Sequence, residues 1–74
     1  MILETIGFLE LNSIAKGIEA ADAILKTADT RLIFAKAGCP GKYYIFFSGE
    51  VAAVRSSLDA GAEIGGAHVV DSCV

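Results

Sequence analysis

The stretch Arg31-Leu32-Ile33-Phe34-Ala35-Lys36-Ala37-Gly38-Cys39-Pro40-Gly41-Lys42-Tyr43-Tyr44-Ile45-Phe46-Phe47-Ser48 decides the fold. Its second half, Tyr43 to Ser48, sets aromatic and β-branched residues in a row, the strongest strand signal in the chain. Its first half, Arg31 to Ala37, reads as another strand. Between them stand Gly38, Cys39, Pro40 and Gly41. Two glycines and a proline in so short a space cannot continue a regular strand, so they form a tight loop. Strands joined by a loop this short pair as an antiparallel hairpin.

Working outward, Thr5 to Leu11 (TIGFLEL) is short, apolar and β-compatible. Asn12 and Ser13 follow, both favourable N-cap residues. Ile14, Ile18, Ala21 and Leu25 then recur at helical spacing, which predicts a helix from Ser13 to about Thr27 with this stripe as its core face. Lys16, Glu19, Asp22 and Lys26 occupy the other side, with Glu19 and Asp22 spaced for solvent-side ion pairing with Lys26. Ala28-Asp29-Thr30 forms a polar break before the hairpin. On the far side Gly49 ends the strand, and Glu50 suits the first turn of a helix. Val51, Val54, Leu58 and Ala62 mark that second helix, to about Ile64, and Gly65-Gly66 predicts a left-handed cap. His68 to Val74 reads as a fourth strand. The order β-α-β-β-α-β predicts an α+β, ferredoxin-like fold: an antiparallel sheet with two helices on one face, in a single domain over residues 1–74.

Composition narrows the function. The chain has 74 residues, 54% of them hydrophobic and 20% charged, which excludes disorder. Phe34, Tyr43, Tyr44, Phe46 and Phe47 exceed what a small core needs, so surplus apolar surface is expected to be buried against other subunits. Net charge is −3, and the basic residues Lys16, Lys26, Arg31, Lys36, Lys42 and Arg55 are scattered. A nucleic-acid partner needs a clustered basic footprint, so none is expected. No apolar run approaches the length of a membrane span, and Met1-Ile2-Leu3-Glu4 has no signal-peptide character.

Chemistry-bearing residues are few. His68 is the only histidine, at a helix-to-strand junction where a satisfied or exposed ring is expected. No nucleophile elbow and no phosphate-cradling loop is present, and the carboxylates Glu10, Glu19, Asp22, Glu50, Asp59, Glu63 and Asp71 read as solvated charges. No catalytic residues and no enzymatic activity are therefore expected. Cys73 falls in an apolar terminal strand and is expected in the core. Cys39 is different, because Gly38 and Gly41 strip bulk from around it and Pro40 fixes the backbone beside it. One cysteine per chain cannot build a metal site by itself. A symmetric oligomer would supply one thiolate per subunit around an axis. The other reading is a surface turn with an incidental cysteine.

Ile6-Gly7-Phe8-Leu9-Glu10-Leu11 and Ser13-Ile14-Ala15-Lys16-Gly17-Ile18-Glu19-Ala20-Ala21-Asp22-Ala23-Ile24-Leu25-Lys26 together resemble the opening of a bacterial microcompartment shell protein, the BMC domain. Ser48-Gly49-Glu50-Val51-Ala52-Ala53-Val54 and Asp59-Ala60-Gly61-Ala62 resemble that domain's third strand end and second helix. The resemblance implies a structural protein of the microcompartment shell, in the cytoplasm. It implies cyclic hexamers, contacts with other shell proteins of the compartment and with encapsulated enzymes, and no nucleic-acid or membrane partner. It also implies that the loop Gly38-Cys39-Pro40-Gly41-Lys42 lines a central pore, where the family usually has a glycine-serine-glycine loop. A thiol there resembles the iron–sulfur shell proteins of the PduT and GrpU types, which makes Cys39 the expected ligand of an iron–sulfur cluster, 4Fe-4S. The flanking Lys36 and Lys42 would favour its thiolate. Lys26 falls where the family places an assembly-edge lysine. Relative to the family pattern, the stretch following the last strand is missing. Two alternatives stand beside this one: a cluster-free shell pore that conducts small metabolites, and a small ferredoxin-like ligand-sensing module.

Overall fold

The computed structural model describes residues 4–38 and 40–74. In β1 (Thr5–Leu11) burial alternates: Gly7, Leu9 and Leu11 are buried, while Ile6, Phe8 and Glu10 are not. That two-residue period belongs to a strand with one covered face. β3 (Lys42–Gly49) pairs antiparallel along its whole length with β1, and buries Ile45 and Phe47 on the same side. β2 (Arg31–Gly38) and β4 (Val69–Cys73) add antiparallel outer strands, giving the order β2-β3-β1-β4. The hairpin and the ferredoxin-like order expected from the sequence are both present.

α1 (Ile14–Thr27) and α2 (Val51–Gly65) cover the same face of the sheet. The core joins Leu9, Leu11, Ile45 and Phe47 from the sheet to Ala20 and Ile24 of α1 and to Val54 and Leu58 of α2. Each fully buried large apolar side chain contributes about 1.5–3 kcal/mol. Ser13 caps α1, its hydroxyl accepting from the Lys16 N–H at 3.2 Å. Gly66 ends α2 at φ 54°, ψ −126°, a positive φ as expected but outside the left-handed helical region, and its N–H donates to the Ala62 carbonyl. A short 3₁₀ turn, Gly66–His68, then leads into β4. At the opposite end of the domain the Ile24 carbonyl accepts from the buried Ser57 hydroxyl at 3.0 Å and from Thr30 Oγ1 at 3.4 Å, tying the last turn of α1 to α2 and to the connection after it.

Two expectations fail here. The stripe Ile14, Ile18 and Leu25 is exposed, and α1 instead buries Gly17, Ala20 and Ile24. The reason is close approach: a Cβ on Gly17 would collide with the Tyr43 ring, so small residues face the sheet and the larger ones turn outward. Cys73 is exposed rather than in the core. β4 is a short outer strand whose partner for Cys73 is Phe8, on the face no helix covers.

The aromatic surplus divides between the layers. Phe47 is fully buried and Tyr43 packs against the core. Phe34, Phe46, Phe8 and Tyr44 stand on the open face, with ring centroids 4.6 Å apart for Phe34–Phe46, 4.7 Å for Phe8–Phe46 and 6.5 Å for Phe8–Tyr44. Among the described residues no helix is long and apolar enough to cross a membrane.

Candidate functional site

The β2–β3 hairpin closes on the pair Gly38 and Lys42, which leaves residues 39–41 as its loop. Gly41 has φ +65°, a conformation that glycine adopts without strain, and the space where its Cβ would stand is empty to 4 Å. Gly38 is held close to its neighbour, since a Cβ there would lie 2.5 Å from Cε2 of Tyr44. Pro40 is exposed. Cys39, the expected cluster ligand, lies outside the described residues.

The two lysines that flank this loop have other partners. Lys42 Nζ lies 3.3 Å from Glu10 Oε2 on the adjoining central strand, with both side chains mostly buried. Lys36 Nζ lies 5.4 Å from the centroid of the Phe34 ring. The expected cationic support for a loop thiol is thus drawn toward β1 in one case and toward the aromatic face in the other.

Several chain junctions meet at the hairpin's end of the sheet. Leu11, at the end of β1, pairs with Tyr43 and with Val69. The Asn12 N–H donates to the His68 carbonyl at 2.9 Å, and His68 Nδ1 sits 3.0 Å from Asn12 Oδ1, so the only histidine is exposed and satisfied. Lys26 lies at the other end, in the last turn of α1, paired with Asp22 at 3.0 Å and with its side chain 75% exposed. Lys16 pairs with Glu19 at 3.7 Å. The Asp22–Lys26 pair is the one expected from the sequence, whereas Glu19 pairs with Lys16 instead of Lys26. Among the described residues no three of His, Cys, Asp or Glu gather where a metal ion would be held.

Sequence reasoning missed a concavity of about 430 Å³ at the Lys26 end, lined by Glu4, Asp29, Thr30, Arg31, Ser48 and Gly49. Arg31 crosses it to Glu4 at 2.5 Å. These residues come from three separate segments, and no local spacing marks them as neighbours.

The BMC domain is the family whose pattern matches this chain, over residues 5–74. The shell protein PduT of Citrobacter freundii is 46% identical over 71 residues, which make up 96% of this chain and 39% of PduT. The shell protein PduA of the same organism is 35% identical over 75 residues, 90% of this chain and 80% of PduA. Among solved structures, a microcompartment protein from Desulfitobacterium hafniense DCB superposes with a TM-score of 0.95 at 51% identity, covering 97% of this chain and 40% of that one. The chain therefore spans about two fifths of the length of PduT and of that structure. It belongs to the BMC domain family, the domain found in these bacterial microcompartment shell proteins.

Proposed function

We propose that copies of this domain form a cyclic hexamer that tiles into the shell through its edges, with the 38–42 loops meeting at a central pore and Cys39 thiolates holding an iron–sulfur cluster there. One observation carries this reading. The domain is elongated, 39 × 20 × 17 Å, with the hairpin loop and Lys26 at opposite ends of the sheet. An axis at the loop end gathers one Cys39 from each copy and leaves Lys26 on the rim, ready to meet other shell proteins. The ligand chemistry agrees: a single loop thiol per chain suits a cluster shared between chains and not one held within a chain. Gly38 and Gly41 keep the loop narrow, so neighbouring loops approach without side-chain obstruction. Pro40 limits the backbone freedom lost when the thiol is held.

When bound, such a cluster passes single electrons, which suits electron transfer across the shell or cluster delivery to encapsulated enzymes. Thiolate ligation requires deprotonation, so loading falls at low pH and on exposure to oxygen. Protein purified anaerobically should be brown and contain iron and acid-labile sulfide. Equal iron in Cys39→Ser would refute the ligand assignment. An iron-free ring would instead leave a pore for small metabolites, with Cys39 as a polar lining.

A further inference from the structure

Lys42 is the first residue of β3 after the hairpin loop and pairs with Gly38 to close it. Glu10 stands opposite Tyr44, two residues further from the loop, so Glu10 and Lys42 are diagonal neighbours across β1 and β3. Their charged atoms meet at 3.3 Å, which draws the ammonium back over β1 and not forward past the loop. Both side chains are mostly buried, and among the described residues neither has a second ion-pair partner. The other lysine near the loop, Lys36, also leans away, its Nζ standing 5.4 Å from the ring centroid of Phe34, which lies further from the loop on β2. His68, at the same end of the sheet, is turned to Asn12 through Nδ1. Of these cationic side chains, Lys42 is the one held by a carboxylate.

We infer that Glu10 is a positioning residue for the loop site: by tethering Lys42 it withholds a positive charge from the axis and lowers the reduction potential of a cluster held there. The inference rests on the ring and cluster proposed above and names a residue that tunes them. A cluster gains one negative charge when it takes up an electron, so a nearby cation favours the reduced form and raises the potential. Freed from Glu10, the flexible four-carbon stem of Lys42 lets the ammonium extend along the loop. Ring symmetry multiplies the effect. Every copy brings its Lys42 to the same distance from the axis, and every Glu10 neutralises the lysine of its own chain.

The test measures the reduction midpoint of anaerobically purified protein, titrated with dithionite and redox mediators and followed by cluster absorbance. Iron per chain, native mass and circular dichroism check that each variant is loaded, assembled and folded. Glu10→Gln keeps the side-chain size and frees Lys42, so the midpoint should rise. At the wild-type midpoint the reduced form should then exceed the oxidised about tenfold, a shift of about 59 mV for one electron. Lys42→Met leaves Glu10 as an unpaired negative charge, so the midpoint should fall. The double variant Glu10→Gln/Lys42→Met removes both charges and should return close to wild type, as should Lys42→Arg, which keeps the pair. A loss of structure alone would not move the two single variants in opposite directions. If Glu10→Gln does not fold, a Lys42→Met midpoint below that of Lys42→Arg supports the tether, and equal midpoints overturn it. Loaded single variants with a wild-type midpoint, or both shifted in the same direction, would also overturn it. A wild-type protein without iron refutes the cluster itself, whereas a loaded wild type indifferent to both positions refutes only the role of Glu10.

Discussion

Glu10 reaches across from the central strand β1 to Lys42 at the base of the hairpin loop, with Oε2 and Nζ 3.3 Å apart. The side chains are 21% and 28% exposed, so water screens the pair less than it screens the domain's other ion pairs. Glu10→Gln should destabilise the domain by about 1 kcal/mol, between the worth of an exposed pair and that of a charged hydrogen bond. Urea unfolding midpoints at low and high salt check this. The gap between wild type and variant should narrow as salt rises, and an equal midpoint at low salt would show that the pair contributes nothing.

Gly17 lies in the first half of α1 directly over Tyr43. Alanine there favours the helix by about 1 kcal/mol, yet its Cβ would collide with the Tyr43 ring near the backbone, where the side chain cannot swing away. Overpacking of this kind costs about 1–3 kcal/mol, so Gly17→Ala should lower the melting temperature. An increase would show that the helix shifts outward freely.

Ser57 donates its buried hydroxyl to the Ile24 carbonyl at 3.0 Å. Ser57→Ala removes that donor, and Thr30 Oγ1 at 3.4 Å remains as a weaker one. The expected loss is about 0.5–1.5 kcal/mol, read by chemical denaturation. Adding Thr30→Ala should cost more than the sum of the two single changes, because the second donor compensates for the first.

The sheet was legible in the sequence because strand residues declare themselves locally. The aromatic run from Tyr43 to Ser48 and the broken loop at Gly38 to Gly41 were enough to give the hairpin, and the order of elements did the rest. The face of α1 was not legible. Periodicity points to the largest apolar residues, Ile14, Ile18 and Leu25, but close packing over Tyr43 selected Gly17 and Ala20 instead. Cys73 misled for a related reason, because an apolar neighbourhood in sequence says nothing about which strand is outermost. The Glu10–Lys42 pair joins residues 32 apart in sequence, and only the strand register brings them together.

The central claim is that copies of this domain surround an axis at which the Cys39 loops converge on a shared cluster. Native mass spectrometry of anaerobically purified protein, run beside Cys39→Ser, tests it most directly. The account predicts a six-chain species that carries iron and sulfide, and the same six-chain species without them in the variant. A single-chain mass, or iron retained in Cys39→Ser, would contradict it.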